Sequence, residues 1–373
     1  MNNRRAYRPI QTFLQVLISR RRILILACTL PSFVCVLPLY AQYGGYAGAS
    51  VQIGFDALHS SLGNTGTAGW IPDTVHIVKR VKGPSLASSP YYNSALIAGI
   101  EHDIHVNVSI FELGLDRQYQ SLGALIPLPP KAGLFIGLIR SGVHDIDARS
   151  LSGYPLGQIH TSEIQLQSAF GIRLSRIVHA GIGFKINRYN LHEDLKASTS
   201  VGLDLGMVVK LNRQSTLAIS IQDLLAEHTW NSGDLYNLSQ SANRVERLPT
   251  RFKAGYSSLI KNTQMSIEYE IRKESSEIKI LNLYSSGSSR TQYIEQTETR
   301  MTNSQFLRAG ISQSLHPTFR LNAGYEHTLT HASLGHLLST GFSLEVPQVD
   351  SFIIDYAFVK NTYGLNSMHI FTL

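Results

Sequence analysis

Apolar and polar residues alternate along most of this chain. Between positions 201 and 211 the odd positions are Val, Leu, Leu, Met, Val and Leu, while the even positions include Gly, Asp and Lys. The segment 319–326 alternates in the same way. A period of two places each set on one face of a β-strand. We predict strands at 105–113, 118–127, 132–141, 163–175, 178–191, 198–211, 216–225, 249–259, 263–274, 304–314, 318–328, 337–347, 351–360 and 366–373.

The connections between these segments alternate in length. The short ones are 128–131, 176–177, 212–215, 261–263, 315–317 and 347–350. The long ones are 142–162, 192–197, 226–248, 275–303 and 329–336. A soluble β-sandwich has no reason to sort its loops in this way, whereas an outer-membrane barrel has short periplasmic turns and long extracellular loops. We therefore predict an all-β fold, a transmembrane antiparallel β-barrel of about 14 strands over residues 105–373.

The first 41 residues have the pattern of a signal peptide. Three arginines at 20–22 precede an apolar run at 23–40, and Ala41 offers a small residue for cleavage. Pro31 and Pro38 within so short a run argue against a membrane anchor. A lipoprotein site at Cys28 is the alternative, but the apolar run before it is too short. We predict cleavage near Ala41 and localisation in the outer membrane of a Gram-negative-type cell.

Charge and cysteine content exclude several functions. The formal charge is +7, but residues 1–41 hold six arginines and no acidic residue, which leaves 27 basic and 26 acidic side chains elsewhere. A balance this even predicts no nucleic-acid partner. The two cysteines, Cys28 and Cys35, both lie in the leader. The mature chain therefore has no disulfide scaffold, thiolate metal site or cysteine nucleophile.

Residues 42–104 precede the first predicted strand. They are rich in Gly and Ser and contain one short helix-compatible stretch at 56–62. Both termini are expected on the periplasmic side, and a barrel of this size has a lumen that is either aqueous or filled. We therefore predict that 42–104 is a separate N-terminal segment that plugs the lumen.

Fourteen histidines raise the question of a metal site. The candidates form three groups: His327, His331 and His336; His102, Asp103 and His105; and His144, Asp145 and Asp147 with Arg149. Metal ligation needs side chains that converge at about 2 Å from one ion, and neither strand nor loop spacing makes these residues converge. The two carboxylates of the third group could serve as an acid and a base or as calcium ligands, but they lack EF-hand spacing. We predict no catalytic, cofactor-binding or metal site, and no enzyme activity.

A set of polar residues falls on the strand faces opposite the apolar ones. Because charge facing lipid is costly, we predict that these residues face the lumen. They are Asp204, Lys210, Glu268, Glu270, Arg272, Arg320, Asn322 and Glu326. Their charges could pair across the interior and fill it or could line a pathway, and pairing is the more economical interpretation.

Several segments resemble a known family. Residues 57–68, with Leu-Gly at 62–63, resemble the N-terminal block of the PorV/PorQ-like outer-membrane proteins, which are relatives of the FadL-type fatty-acid transporters. The segments 179–186, 201–207, 219–224 and 247–256 resemble strands of the same family, and 354–373 resembles its C-terminus. One departure is at 88–95, where Ser-Ser-Pro-Tyr-Tyr-Asn-Ser-Ala replaces the usual Asn-Pro-Ala.

The resemblance implies a 14-stranded barrel and two candidate functions. PorV-like members act in type nine protein secretion, and FadL-like relatives pass hydrophobic small molecules. Our first hypothesis is a non-enzymatic barrel that supports secretion or surface attachment through the loops 226–248 and 275–303. Its partners would be outer-membrane lipid and secreted proteins or an attachment complex, with no cofactor. The alternative is a FadL-like transporter of hydrophobic small molecules in which 42–104 is a movable plug.

Overall fold

A computed structural model describes residues 53–69, 86–99, 103–114, 116–193, 195–231, 243–286, 290–330, 336–346, 352–361 and 367–373. The predicted leader and its cleavage site lie outside these residues, as do His102 and His331. All described residues belong to one compact unit, Gln42–Leu373. No helix among them is long and apolar enough to cross a membrane.

Fourteen antiparallel strands form one closed barrel. Each pairs with its neighbours along the chain, and the first barrel strand closes the barrel against the last, from Ser109↔Thr372 to Glu112↔His369. Closure removes the two open edges that a flat sheet of these strands would have. The barrel strands are β1 (His105–Glu112), β2 (Arg117–Leu128), β3 (Ala132–Arg149), β4 (Pro155–Arg173), β5 (Val178–Asn190), β6 (Ser198–Asn212), β7 (Ser215–Leu224), β10 (Thr250–Ile260), β11 (Thr263–Ser286), β12 (Arg290–His316), β13 (Phe319–Thr328), β14 (His336–Glu345), β15 (Ile353–Asn361) and β16 (Met368–Thr372).

The two faces of the wall invert the arrangement of a soluble protein. Apolar side chains stand on the outside, such as Val201, which is 59% exposed. Polar side chains are buried inside, such as Asp204, which is 2% exposed. Burying charge and exposing aliphatic side chains would be unfavourable in water. The arrangement suits a wall that faces lipid, and the predicted fold class is confirmed.

Two of the connections predicted as long loops are mostly strand. β3 and β4 continue as a hairpin across 142–162, and β11 and β12 do the same across 275–303. Both strands of each hairpin extend past the predicted segment together, because each added pair satisfies backbone hydrogen-bonding groups. The loop 226–248 also contains a separate hairpin of β8 (Glu227–Asn231) and β9 (Asn243–Arg247).

The described parts of the N-terminal segment lie inside the barrel. Helix α1 (Ala57–Ser61) begins at Asp56, whose side chain accepts a hydrogen bond from the His59 backbone N–H. Two short 3₁₀-helices follow at Ser89–Tyr91 and Ser94–Gly99. We call the described residues 53–69 and 86–99 the plug.

Candidate functional site

A buried polar cluster joins the two segments of the plug. The Asp56 carboxylate lies 2.8 Å from His59 Nδ1 and accepts hydrogen bonds from the Ser88 and Tyr92 hydroxyls. Burial alone would raise the pKa of Asp56. The neighbouring His59 and the hydrogen bonds from His59 and Ser88 outweigh burial and hold that pKa below its usual range. The cluster therefore favours an ionised Asp56 that ties the plug together.

Glycines let the barrel wall approach the plug backbone. Gly133, Gly171, Gly181 and Gly206 are directly paired in one row across β3 to β6. A Cβ atom at Gly181 would lie 2.3 Å from the carbonyl carbon of Ser94 in the plug. No real Cβ comes so close to another heavy atom, so only glycine fits here. Along these four strands the wall is in direct contact with the plug.

Side chains of the wall also bind the plug backbone by hydrogen bonds. On β11, Glu268 Oε2 accepts from the N–H groups of Gly66 and Thr67, each at 2.9 Å. On β7, Gln222 donates to the carbonyls of Tyr91 and Tyr92 at 2.8 and 3.1 Å. Such bonds satisfy backbone groups that water cannot reach. The plug is thus held from more than one side of the barrel.

Further wall contacts come from the opposite side of the barrel. Tyr119 donates to the carbonyl of Gly54 at 2.8 Å, and Ser121 donates to that of Phe55 at 2.5 Å. Ser339 donates to the carbonyl of Ser61 at 3.1 Å. Together with the glycine row, these contacts close the lumen around the described plug residues.

An ion-pair network covers the inner wall of β5, β6, β7 and β10. Lys185 Nζ lies 2.8 Å from both Asp204 and Asp223, and Arg251 lies 2.6 Å from Asp223. All four side chains are buried. Buried charges are tolerated only when they are paired, and these are.

Asp223 reaches this network through a distortion of β7. Simple alternation would place residue 223 on the lipid face, beside Leu217, Ile219 and Ile221. Asp223 instead adopts a left-handed backbone conformation, φ 59°, where the β6–β7 register shifts between Leu203 and Leu205. The bulge turns its carboxylate inward.

A second network covers β10 to β13. Its members are Lys253, Glu268, Glu270, Arg272, Arg308 and Glu326. Arg308 is central, at 3.1 Å from Glu268 and 2.5 Å from both Glu270 and Glu326. Since Glu268 also binds the plug, this network connects the wall to the plug backbone.

The prediction of lumen-facing charges is confirmed for most of its members. The two networks include Asp204, Glu268, Glu270, Arg272 and Glu326, and Arg320 and Asn322 are buried on the inner face of β13. Lys210 is half-buried at an inward position of β6.

Sequence reasoning missed the basic residues that complete these networks, at 185, 251, 253 and 308. All four stand at inward positions of alternating segments, so the same alternation could have found them. Only Asp223 gave no such signal.

An apolar strip covers the remaining part of the inner wall. Residues of β15, β16 and β1 to β4 form one buried cluster with Phe55, Tyr91 and Tyr92 of the plug. The wall residues are Phe111, Tyr119, Leu125, Phe135, Ile139, Ala169, Ala357, Val359 and Ile370, each at most 3% exposed. At the long-loop end the cluster continues to Leu113, Leu337 and Met368. The strip therefore runs from that rim, where its residues are half-buried, to the plug, where it is closed to solvent.

Aromatic rings connect the strip to the plug. Phe55 and Tyr91 are stacked with centroids 4.8 Å apart, and Phe135 meets Tyr91 edge to face at 4.9 Å. Tyr189 and Trp230 also contact each other, with ring centroids 5.3 Å apart, and Trp230 is buried on the β8–β9 hairpin. That hairpin was not predicted, so its effect on these residues could not be seen in the sequence.

The histidine groups are only partly brought together. His327 and His336 are opposite each other on β13 and β14, with Nδ1 atoms 3.0 Å apart, on the outer face of the wall. His144 lies with its ring centroid 6.3 Å from that of His160, and Asp147 pairs with Arg149 at 2.7 Å in solvent. Within the part of the chain that the structure describes, no three His, Cys, Asp or Glu side chains are grouped to hold a metal.

Comparisons with known proteins place the fold. Neither protein-family models nor curated proteins match the sequence. Among solved structures, the Ralstonia pickettii toluene transporter TbuX has a TM-score of 0.55 at 10% identity, over 86% of this chain and 98% of that one. A Pseudomonas aeruginosa FadL homologue has a TM-score of 0.56 at 13% identity, over 85% and 97%. The CymD monoaromatic hydrocarbon channel gives 0.55 at 10% identity, over 86% and 96%. This chain therefore shares the fold of these outer-membrane barrels.

Proposed function

We propose that this chain is a non-enzymatic outer-membrane transporter of hydrophobic small molecules. The apolar strip carries the proposal, because it offers a continuous apolar wall from the long-loop rim to the plug. The rim with the long loops is the extracellular one in outer-membrane barrels. A molecule that enters from outside would meet apolar side chains along its whole way to the plug, and burial of apolar surface favours such binding.

The fold supports the same function. Structures with this fold include a toluene transporter and a monoaromatic hydrocarbon channel. The protein-secretion role expected from the PorV/PorQ resemblance remains a prediction, and the structural comparisons favour the transporter over it.

The strip and the plug together describe a closed state. Each wall residue of the strip is almost fully buried, and the plug fills the lumen below it. Passage therefore requires the plug to move away from the wall, and a plug that cannot move should stop transport.

A disulfide lock tests this directly. Thr65 Oγ1 of the plug lies 2.7 Å from Ser266 Oγ of β11, so a Thr65→Cys/Ser266→Cys pair would tie the plug to the wall. The matched control is Ser215→Cys/Ser258→Cys, whose hydroxyl oxygens are 3.2 Å apart on β7 and β10 and do not involve the plug. The mature chain has no other cysteine if cleavage occurs near Ala41.

Uptake of a radiolabelled aromatic hydrocarbon would be measured in intact cells that express each variant. We expect the oxidised plug lock to reduce uptake to that of cells without the barrel, and reduction with dithiothreitol to restore it. The control staple should leave uptake unchanged. Equal uptake by cells with and without the barrel would refute the proposed function. If the barrel raises uptake but the oxidised plug lock does not reduce it, the proposed movement of the plug is refuted.

A pull-down from native outer membranes distinguishes the secretion role. Mass spectrometry of the tagged protein in mild detergent would measure both co-purified proteins and lipids. An apolar ligand in about one-to-one ratio supports the transporter. Recovery of secreted proteins or a large translocon, without such a ligand, would support secretion instead.

A further inference from the structure

The outer face of the barrel carries basic residues at one edge of its apolar band. On β3 the outward residues Ile136 and Leu138 are followed by Arg140, and on β5 Phe184 and Ile186 are followed by Arg188. The same order occurs on β11 and β15, where Lys273 and Lys360 follow outward apolar residues. We call these four exposed residues, Arg140, Arg188, Lys273 and Lys360, the basic belt.

The belt stands at the long-loop end of each strand. A residue at this place lies where the hydrocarbon of a membrane gives way to lipid headgroups. The corresponding outward position on β1 holds an acidic residue, Glu112, so the positive charge is confined to the strands that carry the belt. On those strands the belt favours anionic groups at that depth.

Two members of the belt are close enough to act on one group. Arg140 is paired in register with Ile164 on β4, and Ile164 is paired with Arg188 on β5. The two arginines are therefore two strands apart, about 10 Å between backbones, which their long side chains can bridge from both sides. Neither guanidinium is paired with another residue in the described part of the chain.

The surface next to this pair is apolar. Leu138, Ile164 and Ile186 are 41%, 43% and 48% exposed on the same outer face. A free phosphate ion would gain nothing from these side chains, whereas the acyl chains of a lipid would cover them. Guanidinium groups bind phosphate through two parallel hydrogen bonds, so the arginines and the apolar side chains fit the two ends of one molecule.

We propose that Arg140 and Arg188 bind the phosphate group of a membrane lipid whose acyl chains lie over Leu138, Ile164 and Ile186. This site is on the outer face, so it is independent of transport through the lumen. It specifies one contact with outer-membrane lipid, which the sequence predicts only in general terms.

The test measures lipid binding by native mass spectrometry of the purified mature barrel in detergent. The probes are phosphorylated lipid A, the same lipid A after enzymatic dephosphorylation, and inorganic phosphate. The variant Arg140→Gln/Arg188→Gln should bind phosphorylated lipid A about thirtyfold more weakly, roughly fivefold for each arginine near an anionic lipid surface. Arg140→Lys/Arg188→Lys keeps the charge but loses the paired hydrogen bonds of the guanidinium, so its affinity should fall between those of the unchanged protein and the glutamine variant.

A matched control removes two exposed basic residues at the short-turn end, as Lys131→Gln/Arg213→Gln. This variant should bind phosphorylated lipid A like the unchanged protein. Heat-dependent migration on gels would establish that every variant is folded.

Three results would overturn the proposal. Equal loss in the control would show a general effect of charge. Equal binding of dephosphorylated lipid A would show that the apolar surface alone binds the lipid. Full competition by millimolar inorganic phosphate would show a site for the free ion.

Discussion

Glu268 is the wall residue whose removal should loosen the plug most directly. Its carboxylate accepts the backbone N–H groups of Gly66 and Thr67 and also lies 3.1 Å from Arg308. The substitution Glu268→Gln keeps the size of the side chain but removes its charge. Arg308 retains Glu270 and Glu326, so the wall network should survive.

The expected magnitude follows from the two lost charge-assisted bonds. A hydrogen bond to a charged group contributes about 1.5–3 kcal/mol, and one between neutral groups contributes about 1 kcal/mol. Because the glutamine carbonyl still accepts one or both N–H groups, the net loss should be about 2 kcal/mol. That loss corresponds to about thirtyfold more frequent opening of this part of the plug.

Hydrogen exchange measures this opening. Exchange at the amides of Gly66 and Thr67 would be followed by mass spectrometry in the folded barrel, and we expect it to be about thirtyfold faster in Glu268→Gln. The matched control is Glu326→Gln, which also removes a partner of Arg308, and Glu326 makes no hydrogen bond or ion pair with the described plug residues. Equal exchange at these two amides in both variants would refute the role given to Glu268.

Three further substitutions or conditions test the site. Gly181→Val places atoms where a Cβ already comes within 2.3 Å of the plug, so it should displace the plug and raise ion conductance in planar bilayers. Gly202→Ala, whose Cβ would make only ordinary contacts, should not. Phe135→Ala removes a fully buried ring and should lower the free energy of unfolding by about 3–5 kcal/mol, measured by denaturant titration. The folded protein lowers the pKa of Asp56. Ionised Asp56 therefore contributes its full stability above the usual carboxyl pKa, and this stability is lost as pH falls through the lowered pKa. Protease sensitivity of the plug should therefore rise in acid, and Asp56→Asn should remove that dependence.

Alternation in the sequence was sufficient to predict the barrel and much of its interior. Period two assigns a residue to one face of a strand whatever its partners are, so Glu268, Glu270 and Glu326 could be placed in the lumen before any contact was known. The alternation of short and long connections between strands then distinguished a membrane barrel from a soluble sandwich.

The tertiary structure decided what depends on contacts between distant segments. Asp223 enters the lumen only because a bulge between β6 and β7 reverses its direction. The segments 142–162 and 275–303 form long hairpins because the two arms of each hairpin pair with one another.

The close fit between the plug and the wall also depends on contacts between distant segments. Gly181 must be glycine because Ser94, 87 positions earlier in the chain, lies against it, and no local pattern records that approach. Periodicity determines which face a residue occupies, because it is a property of the single strand. What that face touches is determined only when the chain closes on itself and the N-terminal segment enters the barrel.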